Sequence, residues 1–438
     1  MMRQLCAASL LLGILACPCH AQASSSRWIE ENFSVAAQQA RNMVVAMRPY
    51  PGQLPRTTDA DGKLVPCNSG WWTSGFFPGT LWLLYERTGD EQFREYARDF
   101  TARIEKEKYN TGTHDLGFML YCSYGNGFRL TKEPAYRDVL LQGARSLISR
   151  FNPRVGCIMS WNPNSRWQYP VIIDNMMNLE LLMWAYKNSG DEAFRNIAMT
   201  HADTTIRNHF RKDFSTYHVV SYEPASGAVG KRQTAQGYSD ESAWARGQSW
   251  GLYGFVMMHR ETGLRRYLDQ AQNIAAFLLG HPNLPGDKIP YWDYNAPKVP
   301  NEKRDASAAA IMASALVELS WYSDPEPARK YIATAVAQLQ SLSSQEYRAA
   351  PGTNGNFILR HSIGSIPGNS EVDVPLSYAD YYFLEALKRL QDRRTDRNAV
   401  PGPIRSAEPP GDLLALPAVS APRRQPALLL PTEPLRRR

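Results

Sequence analysis

Two aspartates stand where a chain of helices would place an acid and a base. Asp174 closes the β-branched run Val171-Ile172-Ile173 and precedes an apolar segment carrying Met176, Met177, Leu179, Leu181, Leu182, Met183 and Trp184. A helix apolar on nearly every side is buried all round. The Asp174 carboxylate is placed to cap that helix by accepting from the free amides of its first turn. The mouth of a buried helix is also where a perturbed acid is expected. Asp115, in Thr113-His114-Asp115-Leu116-Gly117-Phe118, precedes a second apolar segment. Paired carboxylates in different environments let one site supply both an acid and a base near neutral pH. Asp240, Asp305 and Asp373 occupy similar starts, so capping alone explains part of this set.

Around these acids lie residues suited to a polar, ring-shaped ligand. Trp244-Ala-Arg246-Gly-Gln248-Ser-Trp250 sets an always-charged guanidinium between two aromatics at a helix start. Its planar fork matches a carboxylate or sulfate; the competing reading is a surface ion pair. Trp71, Trp72, Trp161, Trp167, Trp244, Trp250 and Trp292 fall in or beside loops, where aromatic faces suit the C–H faces of sugars. Trp82, Trp184 and Trp321 sit at helical spacing and read as core. His114 and His218 lack a metal-ligand partner at i+3 or i+4, and His-Glu-x-x-His is absent, so the pattern calls for no zinc and no cofactor. Neither Gly-x-Ser-x-Gly nor a phosphate-cradling glycine loop is present, which leaves esterase and kinase readings unsupported.

The elements that must position these residues are helices. Apolar ones are expected at about 71–87, 115–130, 174–188, 242–261, 306–322 and 375–391, and amphipathic ones at about 29–48, 91–108, 134–150, 192–210, 265–280 and 326–345, with no convincing period-2 strand series. Between them recurs a punctuation such as Glu86-Arg-Thr-Gly-Asp-Glu-Gln-Phe, Lys187-Asn-Ser-Gly-Asp-Glu-Ala-Phe and Arg260-Glu-Thr-Gly-Leu-Arg-Arg-Tyr. Glycine stops one helix and Asp, Glu or Pro opens the next. Six apolar helices inside six amphipathic ones make an all-α toroid of helical hairpins, an (α/α)6 barrel. An open solenoid would want polar capping repeats. In the toroid all inner helices run the same way, so their six N-termini converge on one pocket and favour an anionic ligand without a metal.

The ends and composition bound the rest. Residues 1–23 read as a secretory signal: Arg3, the apolar run from Leu10 to Ala16, then Ala21-Gln22-Ala23 for cleavage. The expected product is exported and periplasmic, with lipid anchoring at Cys17 as the weaker alternative. No other stretch is apolar and long enough to span a membrane. Cys67, Cys122 and Cys157 remain after processing, which is no disulfide framework. The formal charge of +7 is concentrated in the tail, where nine Arg face five acids from Asp392 onward, so there is no case for nucleic acid. Residues 24–391 form the expected catalytic domain, and 392–438, rich in Pro and Arg, an extension without periodicity. The expected assembly is a monomer.

Taken together, Trp72-Thr-Ser-Gly-Phe-Phe-Pro-Gly, His114-Asp115-Leu-Gly-Phe, Ile173-Asp174-Asn-Met-Met-Asn-Leu, the run Gln236 to Trp250, Ile289-Pro-Tyr-Trp-Asp-Tyr, Asp305-Ala-Ser-Ala-Ala-Ala and Tyr378-Ala-Asp-Tyr-Tyr-Phe-Leu-Glu-Ala-Leu resemble the unsaturated glucuronyl hydrolases, glycoside hydrolase family 88, over roughly residues 28–391. The resemblance implies an (α/α)6 barrel acting on the 4,5-unsaturated uronic acid that polysaccharide lyases leave at a non-reducing end. It implies Asp174 as general acid and base and Asp115 as the second acid. His218, Gln236 and Arg246 would bind substrate, and Trp72, Trp161, Trp244 and Trp250 would form the aromatic lining. An unsaturated oligosaccharide, of glycosaminoglycan type, is the implied partner, and the polar loop Leu359-Arg-His-Ser362-Ile-Gly-Ser365 would receive a sulfate unless it is only a Ser/Gly turn. Alternatives are an unsaturated rhamnogalacturonyl hydrolase, a polysaccharide lyase on the same fold, and a non-catalytic glycan-binding module. Protonating an alkene carbon needs a neutral acid, so the expected activity optimum is mildly acidic.

Overall fold

Inner and outer helices alternate along the chain because their burial patterns differ. The computed structural model describes residues 18–395; residues 1–17 of the expected leader and 396–438 of the expected tail lie outside it. The outer helices are α1 (Pro18–Ala46), α3 (Glu91–Ala102), α5 (Pro134–Ile148), α7 (Glu192–His209), α9 (Arg265–Gly280) and α11 (Pro325–Leu342). Each buries one stripe. In α3 it is Phe93, Ala97, Phe100 and Thr101, the i, i+4, i+7, i+8 spacing of an amphipathic face. The inner helices are α2 (Phe76–Thr88), a π-helix at Gly117–Gly125 that continues as α4 (Asn126–Thr131), α6 (Asn175–Ser189), α8 (Ala245–Thr262), α10 (Ala306–Leu319) and α12 (Ser377–Thr395). Every residue of α10 is buried, and its many alanines let neighbouring backbones approach closely.

Each inner helix packs on the next, and α12 returns to α2, so the ring closes. Close approach is enforced at Gly75 and Gly117. A Cβ at Gly75 would overlap the carbonyl oxygens of Phe118 and Met119, and one at Gly117 would overlap Asn178. The glycine stops work as expected after α2, α6 and α8, where Gly89, Gly190 and Gly263 take φ of 66°, 76° and 72°. After α4 the left-handed position falls instead to Lys132. Asp90 and Asp191 cap α3 and α7 through Gln92 N and Ala193 N.

Two expectations are corrected, on Trp321 and on the Asp174 cap, and short strands are added to the helical frame. The chain is not free of strands: β1 (Leu54–Thr58), β2 (Leu64–Cys67), β3 (Phe151–Asn152), β4 (Cys157–Ile158), β5 (Pro170–Ile172), β6 (Val219–Tyr222), β7 (Val229–Gln233), β8 (Ser362–Ser365) and β9 (Ser370–Val374) form small antiparallel sheets in the connections. Their burial does not alternate, β5 and β6 being buried throughout, so they carry no period-2 signal. Trp321 is not core; it follows α10 and is 44% exposed, whereas Trp82 is fully buried. The Asp174 carboxylate does not cap α6, since the side chain accepts no bond from the first turn. No helix among the described residues is long and apolar enough to cross a membrane, and Cys67, Cys122 and Cys157 are buried free thiols.

At the C-terminal ends of the inner helices a cavity of about 330 Å³ is lined by Glu180, Arg260, Glu385 and Arg389, among others. Arg260 bonds Glu180 and, at 2.8 Å, Glu318; Arg389 reaches Glu318 at 2.8 Å. These pairs tie α6, α8, α10 and α12 together at the end remote from Asp174.

Candidate active site

A short sheet sets the first geometry. β5 pairs antiparallel with β6, Ile172 opposite Val219, and the ladder continues with Ile173 N donating to His218 O at 3.1 Å. The next residue after Ile173 is Asp174, so the register brings the aspartate and the histidine side by side, with His218 Nε2 3.8 Å from Asp174 Oδ2. His218 Nδ1 accepts from Ala235 N at 3.1 Å and Gln236 N at 3.2 Å. A neutral imidazole that accepts at Nδ1 carries its proton on Nε2, so the free N–H points toward Asp174. Burial, helped by Arg246 and Arg166, pushes the imidazole down to about 3, in keeping with that tautomer.

Asp174 is buried, and its Oδ2 has no hydrogen-bond partner. Burial pushes its carboxyl up to about 7; the Arg246 guanidinium opposes the rise and the Asp115 carboxylate adds to it. Trp250 Nε1 lies close enough to favour the anion, yet makes no formed hydrogen bond. The result is a carboxylic acid holding a proton near neutral pH, the state a proton donor needs.

Asp115 precedes the π-helix at the neighbouring position of the ring. Its Oδ2 accepts from Thr113 Oγ1 at 2.7 Å, and His114 Nε2 lies 3.2 Å from its Oδ1. The two carboxylates differ in environment: Asp174 is enclosed, while Asp115 has a partner hydroxyl and some solvent access. A protein in this arrangement can donate and retrieve a proton and stabilise neighbouring positive charge.

Arg246, in the first turn of α8, is not a surface ion-pair residue; it is 1% exposed. Its two terminal nitrogens donate to Ile363 O and, at 2.9 Å, Gly364 O of β8, and its plane lies over the Trp244 ring at 4.5 Å. Only Nε is without a partner. Gln236 donates to the same Gly364 O at 3.2 Å. The Gln236 and Arg246 loop and β8 therefore form one wall. On β8, Ser365 Oγ accepts from Gly368 N, an ordinary turn contact, whereas Ser362 Oγ is buried without a partner.

The aromatic residues divide into two groups. His218 stacks on Trp244 at 4.4 Å with Trp161 edge-on at 6.2 Å, and Trp161 in turn packs on Trp167. Deeper, Trp72 and Trp250 join Phe118 and Tyr378 in a layer with ring separations of 4.9–6.4 Å. Tyr378 and Phe118 are absent from the candidates chosen on sequence. Both lie in the inner-helix starts already singled out, and the buried, unpartnered Tyr378 hydroxyl is a further polar group of the pocket. Of the other acids at inner-helix starts, Asp305 caps α10 through Ser307 N and Ala308 N. Asp240 accepts from Thr234 N, and Asp373 pairs with Lys303 and His361 away from the two catalytic candidates.

Comparison with known proteins gives consistent matches. Residues 51–283 match the model of Glycosyl Hydrolase Family 88. An unsaturated glucuronyl hydrolase of Formosa agariphila is 43% identical over 399 residues, spanning 89% of this chain and 99% of that protein. An unsaturated chondroitin disaccharide hydrolase of Streptococcus pyogenes serotype M1 is 30% identical over 367 residues, 82% of this chain and 90% of that one. A crystal structure of an unsaturated glucuronyl hydrolase specific for heparin superposes with a TM-score of 0.82 at 48% identity, covering 84% of this chain and 98% of that one. The unsaturated glucuronyl hydrolase of Bacillus sp. GL1, responsible for the degradation of glycosaminoglycan, gives 0.76 at 32%, covering 86% and 98%.

Proposed function

The chain belongs to glycosyl hydrolase family 88, and we propose that it releases the 4,5-unsaturated uronic acid from lyase-generated glycosaminoglycan disaccharides by hydrating the vinyl ether double bond. Asp174, protonated in the resting pocket, gives its proton to C4. Positive charge develops across C5 and the ring oxygen, and the Asp174 carboxylate now left behind draws a proton from the water that adds at C5. The product is a C5 hemiketal; its ring opens to the C5 ketone and leaves C1 as a hemiacetal, whose collapse to the aldehyde expels the neighbouring sugar as an alcohol, so the glycosidic bond breaks indirectly. Asp115 contacts ring hydroxyls and supports the developing charge. His218, through its Nε2–H, and Gln236 and Arg246 bind the sugar, against Trp72, Trp161, Trp244 and Trp250.

One observation carries the reading: an enclosed carboxyl raised to about 7, its Oδ2 free of partners and faced by a neutral histidine donor. The test follows the absorbance of the conjugated double bond with chondroitin, hyaluronan and heparin disaccharides, and with a pectin disaccharide as the rhamnogalacturonyl-type control. Wild type should consume at least one glycosaminoglycan chromophore and Asp174→Asn do so at least about a hundredfold more slowly; a wild type that leaves all of them intact overturns the proposal. Export under the leader at 1–23, and action as a monomer in the periplasm, complete the reading. Cell fractionation of the full chain and sedimentation of the purified protein test these two points.

A further inference from the structure

Asp305 does more than cap a helix. Its Oδ1 alone accepts from Ser307 N at 3.0 Å, Ala308 N at 3.3 Å, Ser307 Oγ at 2.6 Å and, less closely, Ile363 N at 3.4 Å. Capping is complete with that one oxygen. Oδ2 accepts from nothing, is buried, and lies 3.7 Å from Arg246 Nη1. Both side chains are out of water, at 0% and 1% exposure, so charge on either acts on the pocket with little screening. Burial pushes the Asp305 carboxyl up, and the Arg246 guanidinium with the donors on Oδ1 opposes the rise and favours its anion.

The charges around the two residues leave few other counterweights. Asp174 is faced by Asp115 from the preceding inner-helix start, His218 from the end of β6, and Arg246 and Trp250 from α8. His218 is neutral. Arg246 is faced by Asp305 from α10 and by the Tyr378 phenol of α12, whose own neighbours include Glu371 of β9; burial keeps that phenol protonated. An Arg246 charge without Asp305 would favour the Asp174 carboxylate, the form that cannot donate.

We infer that Asp305 is a positioning residue for the hydration reaction: its free oxygen balances the Arg246 charge that would otherwise hold Asp174 as an anion, while its other oxygen, with Arg246, fixes β8 as the pocket wall. The inference rests on Asp174 being the proton donor.

The test is Asp305→Asn, which keeps a capping oxygen for Ser307 and Ala308 but removes the charge. Asp305→Ser, also a good cap, guards against an effect of the amide itself. For each folded variant, kcat and KM are measured from pH 4.5 to 9 on an unsaturated disaccharide cleaved by wild type, beside Asp174→Asn. The expected result is an alkaline limb of kcat displaced downward by about one pH unit in both variants, so that kcat falls about tenfold at pH 7.5 and little at pH 5. An unmoved limb overturns the inference. So does an equal loss at every pH, which is what a purely structural residue would produce. Activity retained by Asp174→Asn would instead overturn the reading of the donor, and the two failures are distinct.

Discussion

His218 Nε2 and Asp174 Oδ2 face each other at 3.8 Å, and neither atom has another hydrogen-bond partner. The gap is too long for a direct bond, so each group keeps an unused hydrogen-bonding position on the pocket. A substrate hydroxyl or water fits between a histidine N–H donor and an acid of this kind. The arrangement comes from two backbone amides, of Ala235 and Gln236, which occupy His218 Nδ1 and so aim its proton into the site.

Replacing Asp174 by Asn should lower kcat by about 10²–10⁴-fold, the usual contribution of a positioned proton donor. Stability should be nearly unchanged, because the carboxylate caps nothing and its Oδ2 has no partner. Double-bond absorbance and a thermal melt check the two halves. A large drop in melting temperature would mean that the side chain is structural after all.

The pH dependence has a definite sign. Asp174 donates only when protonated, and burial raises its carboxyl to about 7. Activity is therefore expected to hold on the acidic side and to fall by about tenfold per unit as the pH climbs past neutrality. A kcat profile rising steadily to pH 9 contradicts this.

His218 should not titrate between pH 5 and 9. Protonation would force a second N–H against the amides of Ala235 and Gln236, and burial already holds the ring down to about 3. Nitrogen NMR of the labelled protein should report the Nε2–H tautomer throughout, and a midpoint near 6 would be incompatible with the geometry.

Arg260→Met should destabilise the barrel by about 3–5 kcal/mol, since it strips the partner from part-buried Glu180 and one of two arginines from fully buried Glu318. Burial raises Glu180 to about 7, so it can shed its charge by taking a proton. The loss measured by urea unfolding should accordingly be larger at pH 8 than at pH 6, with KM little changed.

Gly75→Ala should cost about 1–3 kcal/mol or more, because the new methyl meets the carbonyl oxygens of Phe118 and Met119 and neither helix can retreat from the closed ring. Circular dichroism melts of the variant beside wild type measure it.

The hairpin array was legible in the sequence because it rests on local chemistry. The glycines at 89, 190 and 263, the caps Asp90 and Asp191, and the contrast between all-round apolar and striped helices each act within a few residues. The same locality placed Asp115, Asp174 and Arg246 at inner-helix starts, and six parallel starts imply one pocket. Periodicity set the elements, and the repeat set their closure.

What tertiary structure alone decided is how those starts meet. Strands of three and four residues, β5 and β6, carry no pattern of their own, yet their pairing puts His218 beside Asp174. Whether Asp174 caps its helix or stands free depends on burial and on neighbours more than forty residues away, which no local rule contains. Arg246 binds the carbonyls of Ile363 and Gly364, over a hundred residues distant, and meets Asp305 on the next inner helix. Residue types and spacing determined which groups this chain brings to the mouth of its barrel. Their proton affinities and partners were decided only by the closed ring, because electrostatics in a dry pocket depends on distance in space and not along the chain.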